Sequence, residues 1–240
     1  SAAHEGQRDH VHALVEERVE HSQILVGRRA QRQPVRRDVH TRSAAEHERM
    51  AVEATDPDLG REALLTAAEL YDEVHVLEDA IRVYEQYVDT YPMPLDIAME
   101  TRERLSEIYH EQMDYQRYFD ELNEMIEQDR NAGPERTDRS RFLASKAALV
   151  LAERQFEQFA RLELTQPFEE SLAVKQQSMD DTLEVLEGLV AYEVADVTAA
   201  ATYYIAEVYM RFSTALIESE RPEGLTAAEL QEQFQHNLTM

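Results

Sequence analysis

Apolar side chains recur at three- and four-residue intervals along most of this chain, which is the spacing of amphipathic α-helices. The clearest run covers residues 77–91, and Pro92 stops it. Immediately before this run, Thr55-Asp56-Pro57-Asp58 supplies an N-cap, a proline at the first helical position and early negative charge. A helix is therefore predicted from about Pro57 to Val74, and together with the next helix it forms a hairpin.

The same apolar periodicity predicts further helical hairpins along the chain. Gly133-Pro134 ends the second hairpin, and Pro222-Glu223-Gly224 ends the last. After the last, Thr226-Ala227-Ala228-Glu229 has the sequence of a capping box that begins one more helix. The second and third hairpins are predicted at residues 98–130 and 138–190, and a fourth repeat unit at 195–222. The third hairpin pairs a helix at about 138–162 with one at 167–190.

A five-residue pattern returns three times on the first helices of these hairpins. It consists of an apolar residue, a small residue, glutamate, an aliphatic residue and tyrosine, at Ala67–Tyr71, Leu105–Tyr109 and Ile205–Tyr209. Small side chains let paired helices approach closely, and the tyrosine one turn later covers the surface of the neighbouring helix. We therefore predict that the small residue and the tyrosine belong to the core in all three copies and do not line a cofactor pocket.

Several of these residues coincide with the signature of the tetratricopeptide repeat family. The W-x2-L-G-x2-Y and A-x3-F positions and the closing proline of that signature are occupied by Leu64, Ala67, Ala68, Tyr71, Ala80, Tyr84 and Pro92. Residues 57–92 thus resemble this family closely, residues 98–130 resemble it in part, and residues 195–222 resemble it in their first helix. The resemblance implies an all-α fold, an α-α superhelix in which helical hairpins stack as a right-handed solenoid.

The first sixty residues differ in composition from the rest. They contain no Phe, Tyr or Lys, although the chain has 7 Phe and 11 Tyr. Apolar residues predict a helix from about Asp9 to Val26, and the arginine-rich segment around Pro34 follows it. We therefore expect three regions: an Arg/His-rich, loosely ordered N-terminal arm at 1–55, partly helical or disordered, a repeat domain at 56–222, and the start of a further or capping helix at 223–240.

Histidines and arginines give the arm two candidate binding functions. A zinc site on His4, His10, His12 and His21 lacks the carboxylate or cysteine frame that fixes zinc geometry, so a polar surface is the preferred interpretation. The cluster from Arg28 to Arg37 could contact an anionic surface, dock on the acidic remainder of the chain or stay solvated.

The overall charge argues against one class of partner. The chain has 24 Lys and Arg against 49 Asp and Glu, a formal net charge of -25, whereas binding to phosphate backbones needs an excess of cations, so nucleic acid is not expected to bind. No apolar run approaches the ~18 residues of a membrane-spanning helix, so no membrane span is expected. Without cysteine, a glycine-rich phosphate loop or a G-x-S-x-G segment, no cofactor and no catalytic residue are predicted.

In tetratricopeptide repeats the first helices line a concave face that binds an extended peptide or a partner helix, and the resemblance implies such a groove here. Eight of the ten positions in the first two units are acidic, which favours a basic or mixed-charge protein segment as partner. An ordinary solvated acidic surface is the alternative interpretation. The groove residues are Glu62, Leu65, Glu69, Asp72, Glu73, Glu100, Glu103, Glu107, His110 and Glu111, with a mixed surface of Tyr203, Glu207, Met210 and Arg211 in the fourth unit.

The implied function is that of a non-enzymatic protein–protein interaction scaffold. The alternative is a structural or oligomerising repeat element of a cell-envelope complex, and the partner and the oligomeric state stay open. A remote alternative, a di-metal oxidase of the helical-bundle type, would use the Glu107-x-x-His110 step and its near relative Asp72-Glu73-Val74-His75. That alternative is disfavoured because Glu107 and His110 lie away from the apolar stripe of their helix.

A second resemblance concerns the location of the protein. Residues 136–222 are similar to envelope-associated tetratricopeptide proteins of proteobacteria, some of them described as gliding-motility-related. This similarity favours the bacterial periplasm or cell envelope. The cytoplasm is the alternative, because the sequence starts without an export signal.

Overall fold

A computed structural model of the protein describes residues 34–219, with side chains from residue 37 onward. Over that range the chain is all-α, and the prediction of an all-α fold whose helices pack in chain order is confirmed. A short 3-10 turn at Gly133–Glu135 separates the fifth helix from the sixth. The α-helices are α1 (Pro34–Glu53), α2 (Pro57–Glu73), α3 (Leu77–Thr90), α4 (Leu95–Glu111), α5 (Tyr115–Asn131), α6 (Asp138–Arg161), α7 (Phe168–Val190) and α8 (Ala195–Glu218).

Several sequence-based expectations concern residues outside the described range. They are the helix at 9–26, the candidate zinc ligands His4, His10, His12 and His21, the arginines of the cluster that precede residue 34, and the capping box at 226–229. Within the described range, none of the helices is both long and apolar enough to cross a membrane.

Local sequence determines where the helices begin. At α2, the side chain of Asp56 accepts a hydrogen bond of 3.0 Å from the backbone N–H of Asp58, and Pro57 occupies the first turn, as the sequence predicts. At α5, the Asp114 side chain accepts from the backbone N–H of Arg117 at 3.2 Å. These caps satisfy backbone donors that have no partner inside their own helix.

Three of the connections between helices share one tight turn. In each, a residue other than glycine adopts a left-handed conformation two positions before the next helix begins: His75 (φ 55°) after α2, Met113 (φ 60°) after α4 and Glu193 (φ 55°) after α7. In the first two turns, a backbone N–H one residue later donates back across the helix end, from Val76 to the Tyr71 carbonyl and from Asp114 to the Tyr109 carbonyl, both at 2.9 Å. This is the Schellman arrangement, and it reverses the chain into a hairpin.

The third such turn joins α7 to α8, which corrects the predicted third hairpin. The sequence analysis paired residues 138–162 with 167–190, but the closely packed pair is α7 with α8, while α6 meets α7 through hydrogen bonds from the Lys175 side chain to backbone carbonyls. Apolar periodicity predicts where a helix lies but not which other helix it packs against. The partner is determined by the turn at Glu193, which carries no glycine or asparagine signal in the sequence.

The described residues divide into two compact units, with the boundary inside α6 between residues 148 and 149. In the first unit, α1 to α5 pack each on the next in chain order. Ala67 and Ala68 are fully buried, and Ser106, Tyr71 and Tyr109 are buried with them, so the predicted close helix contacts are confirmed for the first two copies of the pattern. The core of this unit consists of Ala44, Leu64, Ala67, Ala68, Tyr71, Ala80, Ile81, Val83, Tyr84, Tyr87, Val88, Leu105, Ile108 and Tyr109.

Helix α1 belongs to this packed unit although it lies in the segment expected to be a loose arm. It packs along α2, and its Ala44 is fully buried in the core. Gly60 of α2 is buried against the end of α1: a Cβ at this position would lie 3.4 Å from the Ala51 carbonyl oxygen and 2.9 Å from the Tyr91 hydroxyl. The composition of the chain changes near Gly60, but helix packing continues across it.

The second unit contains the third copy of the pattern, and there the prediction of a core role is wrong. Tyr209 is 52% exposed and Ala206 is exposed, whereas Glu207 between them is buried. The buried stripe of α8 contains Val197, Ala201 and Val208 instead. The small residue and the tyrosine of the third copy therefore lie away from the buried side of α8.

Candidate functional site

The candidate groove in the first unit lies on α2 and α4, which are the first helices of two successive hairpins. Five of its glutamates and His110 are exposed, Leu65, Glu73 and Glu103 are half-buried, and Asp72 is buried. Leu65 packs against the hydrophobic core beneath. The exposed glutamates are Glu62, Glu69, Glu100, Glu107 and Glu111.

Arg104, which the sequence analysis did not assign to the site, connects the acids of the two helices. Its Nε and Nη2 donate to the two carboxylate oxygens of Asp72 at 2.6 and 2.8 Å. Its Nη1 donates to Glu107 Oε2 at 2.8 Å and lies 3.6 Å from Glu111 Oε1. Burial disfavours the charged guanidinium, but the hydrogen bonds and charges of Asp72 and Glu107 outweigh burial and raise the pKa of Arg104. Three of the predicted groove acids therefore share one cation.

Two further groove acids have cationic or basic neighbours from other helices of the unit. Glu73 Oε2 lies 3.3 Å from Nδ1 of His40 on α1. Glu100 Oε1 accepts a hydrogen bond of 2.8 Å from Nε of Arg139 on α6. The acidic character expected from the sequence is thus partly compensated, since arginines from α4 and α6 stand among the eight carboxylates.

The surroundings of Glu69 disfavour the ionised form of its carboxyl. Partial desolvation on the helix surface, and secondly the negative charge of Asp72, raise the pKa of the Glu69 carboxyl. A cation placed beside Glu69 would favour its ionised form. A positively charged group that enters the site at this position would therefore interact favourably with Glu69.

His110 lies among aromatic rings where α4 ends and α5 begins. Its ring centroid is 4.9 Å from that of Tyr118 and 5.8 Å from that of Tyr115. Met113, in the turn between the helices, is largely exposed. This end of the α2–α4 face thus offers apolar and aromatic surface next to the acidic positions.

The remaining four predicted groove residues belong to α8 in the second unit. Met210 is exposed and Tyr203 packs edge-on against Tyr204, with ring centroids 5.4 Å apart. Glu207 is buried, which an open groove position would not be, and its Oε2 lies 3.7 Å from Nε of Arg211. The groove positions on this helix were assigned from the third copy of the pattern. In that copy the small residue and the tyrosine are exposed, whereas in the first two copies they are buried.

Two groups of polar side chains in the first unit have the same composition, and the sequence analysis did not identify either of them. Glu48 accepts from the Tyr71 hydroxyl at 2.8 Å and from Arg82 at 2.8 and 3.0 Å. One hairpin further along, Glu85 accepts from the Tyr109 hydroxyl at 2.6 Å, and Arg117 Nη1 lies 4.0 Å from the same carboxylate oxygen. We call each group a Glu–Tyr–Arg clasp, consisting of Glu48, Tyr71 and Arg82 or of Glu85, Tyr109 and Arg117.

The clasps follow a sequence signal that could have located them. Each glutamate precedes the tyrosine of the five-residue pattern by nearly the same interval, 23 residues in the first clasp and 24 in the second. The clasps shift the pKa values of their members: burial, and the hydrogen bond that the Tyr71 hydroxyl donates to Glu48, raise the pKa of Tyr71 to about 12. The hydrogen bond from Arg82 lowers the pKa of Glu48, against the opposing effect of burial. Helix α1 thus supplies a glutamate to the hairpin that follows it, as α3 does.

Metal-binding geometry does not appear in the described part of the chain, where no three His, Asp or Glu side chains come together as ligands. Glu107, from the Glu-x-x-His step, is hydrogen-bonded to Arg104, and His110 packs on the two tyrosines. Comparisons of the chain with family models, with curated proteins and with solved structures found no match.

Proposed function

We propose that the protein is a non-enzymatic interaction scaffold whose α2–α4 face binds a basic or mixed-charge segment of another protein. The observation that carries this proposal is the placement of exposed carboxylates on two successive first helices of hairpins, on one face of the first unit. Lysine or arginine side chains entering this face would meet Glu62, Glu69 and Glu107 at the surface. A cation beside Glu69 would also favour its ionised form, which desolvation and, secondly, the charge of Asp72 disfavour.

The site also limits how such a segment binds. Asp72 is buried and held by two hydrogen bonds from Arg104, so an incoming cation does not replace that contact without desolvating an ion pair. The exposed glutamates, by contrast, remain in contact with water. We therefore infer that affinity comes from several solvent-exposed contacts, each worth about 0.2–1 kcal/mol, together with apolar contacts around His110. The resemblance to envelope-associated tetratricopeptide proteins supports a bacterial cell-envelope setting for this interaction.

Peptide binding under varied salt tests the proposal. A fluorescently labelled lysine–alanine peptide should bind the chain, a glutamate–alanine peptide of equal length should not, and the affinity should fall as salt rises from about 0.05 to about 0.5 M. The double variant Glu62→Gln/Glu69→Gln should weaken binding about 2- to 20-fold. The matched control Glu78→Gln/Glu124→Gln removes the same charge from exposed positions on second helices and should leave binding unchanged. Equal weakening by both variants, or affinity indifferent to salt, would refute the acidic face as the binding site.

A further inference from the structure

Exposed apolar and aromatic side chains lie together where α4 ends and α5 begins, at one end of the α2–α4 face. Met113 in the turn is 74% exposed, and Tyr115, the first residue of α5, is 50% exposed. The exposed His110 packs edge to face against Tyr115, with ring centroids 5.8 Å apart, and its ring centroid is 4.9 Å from that of Tyr118. We call His110, Met113 and Tyr115 the turn surface.

Carboxylates lie beside the turn surface on the last turns of α4. Glu107 and Glu111 are exposed, and Glu107 precedes His110 by three residues, which places the two on the same side of the helix. Both glutamates contact Arg104, which also pairs with Asp72, so three negative charges share one positive charge. Arg104 donates one hydrogen bond to Glu107, whereas a carboxylate has about four acceptor positions. A second cation can therefore bind here without displacing Arg104.

An aromatic ring next to carboxylates favours arginine over lysine. The guanidinium group is planar and weakly hydrated, so it stacks on aromatic rings while its N–H groups donate in pairs to a carboxylate. The ammonium group of lysine is compact and strongly hydrated, and it has no planar fork of donors. A site that combines a ring with a carboxylate thus distinguishes two cations of equal charge by their shape and hydration.

The first unit already holds one of its own arginines in this way. The guanidinium carbon of Arg117 lies 4.5 Å from the ring centroid of Tyr109, and Arg117 Nη1 lies 4.0 Å from Glu85 Oε1. In the other clasp, Arg82 donates to the carboxylate that also accepts from Tyr71. The turn surface and the glutamates beside it offer the same two groups, a tyrosine ring and carboxylates, to an arginine from outside the chain.

We propose that the turn surface, together with Glu107 and Glu111, binds an arginine side chain of the partner segment in preference to lysine. This inference rests on the proposed function of the α2–α4 face and adds the chemistry of the partner to it. The aliphatic part of the arginine packs on Met113 and Tyr115, and its guanidinium donates to a glutamate at the end of α4. The partner segment therefore requires arginine at one position, while its other basic positions accept either cation.

Three labelled peptides of equal length and charge test this preference on the unmodified chain. They are the lysine–alanine peptide, an arginine–alanine peptide, and the same arginine peptide with dimethylated side chains, which keep their charge but cannot form paired hydrogen bonds. At equal salt the arginine–alanine peptide should bind about 3- to 10-fold more tightly than the lysine–alanine peptide. Methylation should remove most of that difference.

Variants of the chain should locate the preference at the turn surface. Tyr115→Leu removes the ring but keeps an apolar side chain, so the difference between the two peptides should fall below about 2-fold, with the lysine–alanine affinity unchanged. Tyr115→Phe keeps the ring and should retain the preference. The matched control Tyr209→Leu removes a ring of similar exposure, 52%, from α8 in the second unit and should also retain it.

Each of the other results would overturn the inference. Equal affinities for the arginine and lysine peptides would refute the preference and leave the proposed function standing. A preference that persists in Tyr115→Leu, or that falls equally in Tyr209→Leu, would mean that the arginine binds elsewhere. Dimers of the unmodified chain that dissociate in Tyr115→Leu, measured by analytical ultracentrifugation, would mean that a second copy covers the turn surface. If neither peptide binds, the proposed function fails and this inference fails with it.

Discussion

Replacing Arg104 by methionine should destabilise the first unit more than any change at an exposed ion pair. The guanidinium forms two hydrogen bonds to Asp72, whose side chain is only 8% exposed, and one to Glu107. Removing one partner of a buried pair costs about 3–5 kcal/mol because the other charge stays buried without compensation. The Arg104 side chain is 23% exposed, so water reaches part of the site. We therefore expect a loss of about 2–4 kcal/mol in the free energy of unfolding.

Urea denaturation followed by circular dichroism measures this loss, with an unchanged slope indicating that the amount of surface exposed on unfolding is the same. Because the protein has two compact units, amide exchange followed by mass spectrometry should locate the effect. Peptides from α2 and α4 should exchange faster in Arg104→Met, and peptides from α7 and α8 should not change.

The matched control is Arg139→Met, which breaks the ion pair with Glu100. Its two side chains are 43% and 49% exposed, so this change should cost less than about 1 kcal/mol. The double variant Asp72→Asn/Arg104→Met should recover part of the stability lost in Arg104→Met, because no unpaired carboxylate remains. If Arg104→Met costs no more than Arg139→Met, or if Asp72→Asn in its background gives no recovery, the buried ion pair does not hold α2 and α4 together.

Two further predictions concern the packing of α1. Glu48→Gln should lose about 1–2 kcal/mol of stability at neutral pH, since it weakens the charge-assisted hydrogen bonds that Glu48 accepts from Tyr71 and Arg82. Folding lowers the pKa of Glu48 from 4.5, so the stability advantage of the native chain is present above that pH and is lost as the pH falls through the lowered pKa. Urea titrations that show the same difference in stability at neutral and acid pH would contradict this account. Ala44→Leu should cost about 1–3 kcal/mol through overpacking, whereas Ala45→Leu on the exposed side of the same helix should change stability by less than about 0.5 kcal/mol. Equal thermal denaturation midpoints for these two leucine variants would mean that α1 is not docked on α2.

Local features of the sequence were enough to place the helices. The N-cap at Asp56 and the proline after it determine the start of α2, and the stripe of apolar residues over 77–91 matches α3 closely. Caps and periodicity act within one or two helical turns, so they can be read without knowing the partners of a helix. The all-α class followed from these local signals.

Pairing between helices could not be predicted in the same way. The turn at Glu193 determines that α7 pairs with α8, yet its left-handed backbone belongs to a residue type that rarely signals such a turn. Tyr209 is exposed because the buried side of α8 is formed by Val197, Ala201 and Val208 and does not include the tyrosine of the third copy. Pattern matching alone therefore placed the third copy in the core.

The sequence predicted the acidic residues of the candidate site but not the arginines that pair with them. Composition correctly indicated many acids on α2 and α4, but their compensation depends on which cations reach them. Arg104 is 32 residues from Asp72, and Arg139 is 39 residues from Glu100. Such distant ion pairs depend on how hairpins stack, which a count of charges does not contain.

The two Glu–Tyr–Arg clasps have a consequence for the way this protein loses its structure. In each clasp the carboxylate belongs to one helix, while the tyrosine and the arginine that contact it belong to the hairpin that follows. When α1 unfolds, Tyr71 and Arg82 lose Glu48, the acceptor that they share. The hairpin of α2 and α3 thereby loses contacts that stabilise it. In stacked-repeat proteins, neighbour terms of this kind make local openings cooperative. Melting that starts at one end of the first unit should therefore propagate hairpin by hairpin, instead of occurring as independent events in separate helices.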